Sequence, residues 1–164
     1  MRVAGVIRDS LTNGEGLRDV IFLQRCPHHC FNCQNPQTWS YDAGRNVSVT
    51  DLAAMFKDSP NDITISGGEP FEQWELLIAF MYFIKADNPN KRFWIYTGYQ
   101  YEDISKYVEK YMWDSVDVIV DGKYIDDLKD SKCLYRGSSN QRLIDVPKTI
   151  EEGKIILWEG KHET

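Results

Sequence analysis

Short apolar runs rich in β-branched residues recur along the chain, each bounded by polar or glycine punctuation. Asp19–Gln24, Asp62–Ser66, Arg92–Thr97 and Val116–Val120 have the length and composition of buried strands. An N-terminal strand precedes them, so Asp19–Gln24 is the second predicted strand. Between the runs the period becomes helical. Ser48-Val49-Thr50-Asp51 reads as a capping box opening a helix that holds Leu52, Met55 and Phe56. Pro70 suits a first helical turn, and Trp74, Leu77, Ile78 and Met81 follow at i, i+3, i+4 and i+7. A third helix carries Tyr101, Ile104, Val108 and Tyr111. The stretch Leu76–Ile84 is apolar nearly all round, which predicts burial on more than one side. Trp74, Trp94 and Trp113 are assigned to the core.

Strand and helix in alternation predict right-handed βαβ units and a mainly parallel sheet. A complete eight-unit barrel needs about 250 residues, and these 164 hold roughly half of its repeats. The expected fold is therefore α/β, an open partial (β/α) barrel in one domain over 1–164. Its core spans 1–146, and 147–164 form a tail with one possible strand at Lys154–Trp158.

With 42% hydrophobic and 27% charged residues, the composition is that of a globular domain. A net charge of −6 lacks the clustered basic footprint of nucleic-acid binding. The longest apolar stretch, Leu76–Ile84, falls well short of the roughly 20 residues that span a bilayer. Charge interrupts the N-terminus too early for a secretory signal. No membrane or nucleic-acid partner is expected, and the localisation is expected to be cytoplasmic. The cysteines are then reduced thiols, metal ligands or catalysts before they are disulfides.

Three cysteines, Cys26, Cys30 and Cys33, follow the second predicted strand with C-x3-C-x2-C spacing. Iron–sulfur cubanes are commonly held by four cysteines. A local trio covers three irons and leaves the fourth open to a chelating substrate. The alternative is structural zinc, completed by His28, His29 or a distant Cys133. Structural zinc usually pairs two short-spaced knuckles, and the sequence has no second C-x2-C. Cys133, flanked by apolar residues, reads as a buried side chain, and His28 and His29 as loop residues.

The cysteine spacing resembles the radical S-adenosylmethionine (SAM) superfamily, and Gly67-Gly68-Glu69-Pro70 resembles its GGEP segment. More specific segments are Asn13–Arg18, Asn35–Trp39, Tyr96–Tyr99, Asp117–Tyr124 and Arg136–Arg142 (RGSSNQR). In this order they resemble the activating proteins of anaerobic ribonucleoside-triphosphate reductases, from the N-terminal strand to about Arg142. The resemblance implies one [4Fe–4S] cluster on Cys26, Cys30 and Cys33, with SAM as second cofactor. It places Asn32, Cys33 and Gln34 among SAM contacts, with Gly67, Gly68 and Glu69 at the methionine end, where a residue without Cβ permits close approach. Thr97, Asp121 and Lys123 are further candidates because they end predicted strands, although turn chemistry also favours such residues there. Many superfamily members pack an aromatic residue just before the third cysteine against adenine. This sequence has Asn32 there and Phe31 one place earlier.

The implied activity is that of an oxidoreductase with no catalytic side chain beyond the cluster and SAM. One electron, from a donor such as reduced flavodoxin, splits SAM into methionine and a 5′-deoxyadenosyl radical. That radical takes hydrogen from the Cα of one glycine on the large reductase subunit, which stores a glycyl radical. A small substrate needs a pocket that buries it, whereas a protein can close an open half-barrel by inserting a loop. Gly14, Gly16 and Arg18 mark a candidate docking edge. The alternatives are an activase of another glycyl radical enzyme such as a formate-lyase type, a small-molecule radical SAM enzyme such as a deazaguanine synthase, and a non-catalytic zinc-stabilised interaction module.

Overall fold

A computed structural model describes residues 1–106 and 113–160. In chain order the elements are β1 (Arg2–Ser10), β2 (Arg18–Leu23), β3 (Arg45–Asn46), α1 (Val49–Ala54), β4 (Asp62–Gly67), α2 (Trp74–Asp87), β5 (Phe93–Tyr96), α3 (Tyr101–Ile104), β6 (Val116–Asp121), β7 (Arg142–Asp145) and α4 (Val146–Glu152). The strands form one sheet in the order β3-β1-β2-β4-β5-β6-β7. β2, β4, β5 and β6 run parallel to one another, while β1, β3 and β7 add antiparallel margins. The sheet ends in two edges and does not close, so the chain forms the open, mainly parallel α/β fold expected. Among the described residues no helix is long and apolar enough to cross a membrane.

Side-chain alternation along the strands divides the core in two. Ile21, Leu23, Ile63, Ile65, Phe93 and Ile95 face α1 and α2, where Leu52, Phe56, Leu77, Phe80 and Met81 cover them. The intervening Trp94, Val118 and Val120 face the other way and pack with Tyr96, Tyr135 and Trp158. A large buried side chain on that inner face is Arg18. Its Nε donates to Thr64 Oγ1 at 2.7 Å and a terminal nitrogen to the Ile63 carbonyl at 2.8 Å, and its guanidinium lies over the Trp94 ring.

The N-cap of the predicted capping box forms: Ser48 Oγ accepts from the Asp51 amide and opens α1, while the Asp51 carboxylate accepts from the Ser48 hydroxyl. Pro70 opens a 3-10 turn, Pro70–Gln73, which leads into α2. Several expectations are corrected. Met55 falls just past α1 and is exposed. Trp74 is 37% exposed rather than core, whereas Trp94 and Trp113 are buried. Leu76, Tyr82 and Phe83 are exposed, so α2 is buried on one side only, despite being apolar nearly all round. In the third helix Tyr101 and Ile104 form α3, while Val108 and Tyr111 lie outside the described residues. The expected tail begins with a helix, α4, capped by the Asp145 carboxylate and stopped by Gly153 at a φ of 66°. Lys154–Trp158 is less than a strand: Leu157 makes one isolated bridge to Ile144.

Asp19 ties β1 and β2 to the segment before β4. Its carboxylate, fully buried, accepts from Arg8 and Ser59 at 2.6 Å and from Asn61 at 2.9 Å. Burial by itself raises the Asp19 carboxyl; the hydrogen bonds from Ser59, Asn61 and Arg8 outweigh it and hold the group below the usual carboxylate range. A depressed carboxyl stabilises the fold above its unfolded value of about 3.9, and that stability is lost as pH falls through the folded value. Asp19→Asn is expected to cost about 2 kcal/mol near neutral pH. The gap from wild type should shrink below about pH 4. Urea unfolding across the acid range checks this, and a gap that persists unchanged to low pH would contradict it.

Candidate metal and cofactor site

The parallel strands β2, β4, β5 and β6 end together at Leu23, Gly67, Tyr96 and Asp121. The segments that follow them surround a cavity of about 700 Å³. Cys26, Cys30 and Cys33 all line it, together with Gly67, Gly68, Thr97 and Gly98. Position at the carboxyl ends of parallel strands is where open α/β sheets bind ligands.

Burial and nearby backbone N–H groups act on the sulfurs in opposite directions. Burial pushes the Cys26 thiol up, opposed by the His28 and His29 amides. Burial also pushes up Cys30, with Cys33 adding to it, while the Tyr124 amide opposes the shift. The Asn35 amide donates to Cys33 Sγ at 3.3 Å. Thiols raised by burial are poor nucleophiles, yet their sulfurs face donors that favour the anion. That combination fits ligands whose charge is set by a metal centre. Among the described residues no three His, Cys, Asp or Glu side chains converge as a single metal ion requires. Three cysteines from one loop on one cavity are a donor set that suits an iron–sulfur cluster with one iron left open.

The cluster loop is fastened by Glu69. This side chain is fully buried and its four partners come from three segments. Oε1 accepts from the Phe71 amide at 3.1 Å and from Thr97 Oγ1 at 2.8 Å. Oε2 accepts from the Gly98 amide at 2.8 Å and pairs with His28 Nε2 at 2.8 Å. His28 is itself almost wholly buried and packs edge-on against Tyr99. The neighbouring backbones are correspondingly close. A Cβ on Gly68 would meet the Arg25 carbonyl oxygen at 2.2 Å, and one on Gly98 would meet the His28 ring at 2.3 Å.

The double glycine thus has a close approach to make within the protein itself. Gly68 N donates to the Leu23 carbonyl and Glu69 N to the Arg25 carbonyl, which locks the end of β4 onto the root of the cysteine loop. Gly67, Gly68, Gln34, Cys33 and Thr97 line the cavity, whereas Asn32, Glu69, Asp121 and Lys123 do not. Asn32 sits at a φ of 53°, a conformation asparagine tolerates, and its amide donates to Asp126. Phe31 beside it is 77% exposed. Asp121 is buried in an ion pair with Arg142 and caps the Tyr101 amide. Lys123 is exposed.

Of the candidate docking residues, Gly16 is exposed, but Gly14 and Arg18 are buried beside Trp94. Cys133 is half-exposed and lines the cavity, not the buried residue expected, because its loop runs along the cavity wall. His28 is the functional neighbour that sequence reasoning passed over. A histidine between two cluster cysteines and a glutamate after a double glycine were each visible, but their pairing needs the strands to be side by side.

Glu69→Gln tests this node. Either orientation of a glutamine amide sets its NH₂ against an obligate donor, Phe71 N–H on one side or Gly98 N–H on the other. The expected cost is about 2–3 kcal/mol, with lower iron retention after anaerobic reconstitution. Glu72→Gln is the control. Its partners are the rotatable hydroxyls of Tyr41 and Tyr99, which can turn to suit an amide, so unfolding and iron content should change little.

Comparison with known proteins agrees with this geometry. Residues 12–144 match the family model described as a 4Fe-4S single cluster domain. The anaerobic ribonucleoside-triphosphate reductase-activating protein of Enterobacteria phage T4 is 40% identical over 137 residues, covering 80% of this chain and 85% of that protein. The protein of that name from Haemophilus influenzae is 34% identical over 137 residues, covering 79% and 88%. That from Escherichia coli K12 is 32% identical over 140 residues, covering 80% and 90%. Three cysteines set around one cavity at the ends of parallel strands, and relatives matched along most of their length, lead to one assignment: the chain belongs to the family of anaerobic ribonucleoside-triphosphate reductase-activating proteins.

Proposed function

We propose that this protein is a radical SAM activase that generates a glycyl radical on an anaerobic ribonucleoside-triphosphate reductase. The observation that carries the reading is the cysteine trio. All three cysteines line one cavity, the Cys33 sulfur accepting from the Asn35 amide, with no fourth cysteine in the same loop. Cys26, Cys30 and Cys33 would hold a [4Fe–4S] cluster. When bound, the cluster supplies the one electron that cleaves the sulfonium of SAM reductively.

The chain's own residues bind and position. Gly67 and Gly68 offer backbone to the methionine end of SAM. Thr97, Gly98 and His28 are fixed by Glu69, so the end of β5 and the cysteine loop are held together. Glu69 acts through its neighbours rather than on SAM, since it does not line the cavity. No side chain is needed as acid or base for hydrogen abstraction from a glycine Cα. The barrel's open side supports a protein substrate: Leu11 and Leu134 line the cavity yet are 68% and 72% exposed. A docked loop would shield what those residues leave open, and a donor of the flavodoxin type would supply the electron.

The reading is tested with anaerobically reconstituted, reduced protein and SAM. Wild type should form 5′-deoxyadenosine, and Cys30→Ala should fall to background. Addition of the reductase should raise product and yield a glycyl-radical EPR signal. A colourless, zinc-loaded protein that never cleaves SAM would replace this reading with that of an interaction module.

A further inference from the structure

The chain is acidic, with 25 aspartates and glutamates against 19 lysines and arginines, so cations left without a carboxylate are informative. Of the arginines, Arg8, Arg92 and Arg142 are in ion pairs. Arg18 is buried on the inner face of the sheet, and Arg136 lines the cavity. The others, Arg2, Arg25 and Arg45, gather at one margin of the sheet. Arg2 and Arg45 stand on the paired strands β1 and β3, with Arg45 opposite Val3. A terminal nitrogen of Arg2 donates to the Asp42 carbonyl at 3.0 Å, and Arg25 Nε donates to the Tyr41 carbonyl at 3.4 Å. Adjacent residues of one loop thus anchor both, and the Arg25 guanidinium lies over the Tyr41 ring. The Met1 ammonium feels the same charges: burial lowers it first, then Arg25 and Arg2.

Among the described residues none of these three arginines makes an ion pair. Glu72, close by, is engaged by the hydroxyls of Tyr41 and Tyr99. Arg45 is exposed and Arg2 and Arg25 are half-buried, and none of them lines the cavity. Their place relative to the cysteines is nevertheless close. Arg25 immediately precedes Cys26, which puts the two Cα atoms about 3.8 Å apart. The Trp39 carbonyl, two residues before Tyr41, accepts from the Cys26 amide at 3.3 Å. Trp39 lines the cavity, and its ring stacks at 4.7 Å on His29, which is exposed. The root of the cysteine loop therefore meets solvent beside a positively charged margin.

We infer that Arg2, Arg25 and Arg45 form the docking surface for an acidic one-electron carrier protein, an inference that rests on the functional reading above. Charge selects that occupant. An anionic protein is repelled by much of a chain with a net charge of −6, and a margin that attracts it also fixes its orientation. Position selects it as well. The reductase's glycine has to enter the cavity, which these arginines do not line. A carrier needs only a short approach to the cluster ligands, and Arg25 and the His29–Trp39 pair offer it from outside. One electron leaves the carrier's redox centre, which is oxidised, and enters the cluster, which is reduced; no bond is made or broken.

Flavodoxin, an acidic carrier, is the probe, and photoreduced deazariboflavin is the small reductant that needs no docking surface. Oxidised flavodoxin should bind the reconstituted protein, and Arg25→Glu combined with Arg45→Glu should weaken that affinity about tenfold or more. Cluster reduction by reduced flavodoxin, followed by stopped-flow absorbance, should slow by a similar factor. Reduction by deazariboflavin should stay within about twofold, since steering acts only on a docking partner. Lys57→Glu combined with Lys154→Glu makes the same change of charge elsewhere. Lys57 lies beyond Met55, whose carbonyl takes Arg8 at the far part of β1, and Lys154 follows α4 near the β7 edge. That variant should leave flavodoxin affinity within about twofold, because exposed charges beyond a Debye length are screened. For wild type the flavodoxin-driven rate should fall steeply with salt. A salt-independent rate would overturn the inference whatever the variants do. So would equal losses from the arginine and lysine variants, or loss of affinity for the reductase alone. Equal slowing with deazariboflavin would assign the arginines to holding the cysteine loop and overturn it too. A wild-type protein that holds no reducible cluster would overturn the functional reading as well, whereas a reducible cluster indifferent to these arginines overturns the inference alone.

Discussion

The site depends on one buried carboxylate. Glu69 has no access to water, and an ionised group in that position persists only if fixed donors replace its hydration. Here they come from the turn after β4, from the end of β5 and from the cysteine loop. The requirement works in both directions. Satisfying the carboxylate brings three segments to fixed distances from one another, and those segments are the ones that wall the cavity. The conformation of the cysteine loop is thus set by a group that is not a ligand and does not reach the cavity.

Such convergence brings backbones too close for ordinary side chains. Gly68 against the Arg25 carbonyl and Gly98 against the His28 ring are the contacts where a methyl group has no room. One consequence is a wall made largely of backbone, glycine and neutral side chains. Another is that the acidic groups nearby are already engaged: Glu69 inside its donor cage, Asp121 on Arg142, Asp126 on Asn32 and Tyr124. Among the residues lining the cavity there is one lysine or arginine, Arg136, and no aspartate or glutamate.

Local pattern carried much of this into the sequence. The β-branched runs announced β2, β4, β5 and β6 because a strand buried on both faces has little choice of residue. The cysteine spacing and double glycine announced the two sides of the cavity because both are local. What stayed hidden depends on distant pairing. Arg18 looks like a surface group beside a flexible glycine loop, but the inner face of the sheet provides Thr64, the Ile63 carbonyl and the Trp94 ring to receive it. Asp121 looks like a ligand at a strand end until Arg142, 21 residues on, is seen to occupy it. In the other direction, α2 overstated its burial. Its periodicity cannot say whether a second layer exists to cover Leu76, Tyr82 and Phe83.

An open barrel must also fill its concave face without the strands that would otherwise line it. Here the 133–137 loop and the C-terminal segment do so: Trp94 packs on Tyr135 and Trp158 at centroid distances of 5.4 and 5.0 Å, with Arg18 stacked beneath. Tyr96 adds a hydrogen bond to the Tyr135 carbonyl at 2.6 Å. The aromatic plug closes the inner face below the cavity and, through Tyr135, fixes the residue that precedes Arg136. The segment that completes the core is therefore continuous with the one that lines the cavity. The same arrangement leaves the rim at Leu11 and Leu134 exposed. Among the described residues the chain itself supplies the floor and walls of the cavity, and the exposed rim is the side on which the proposed protein substrate would dock.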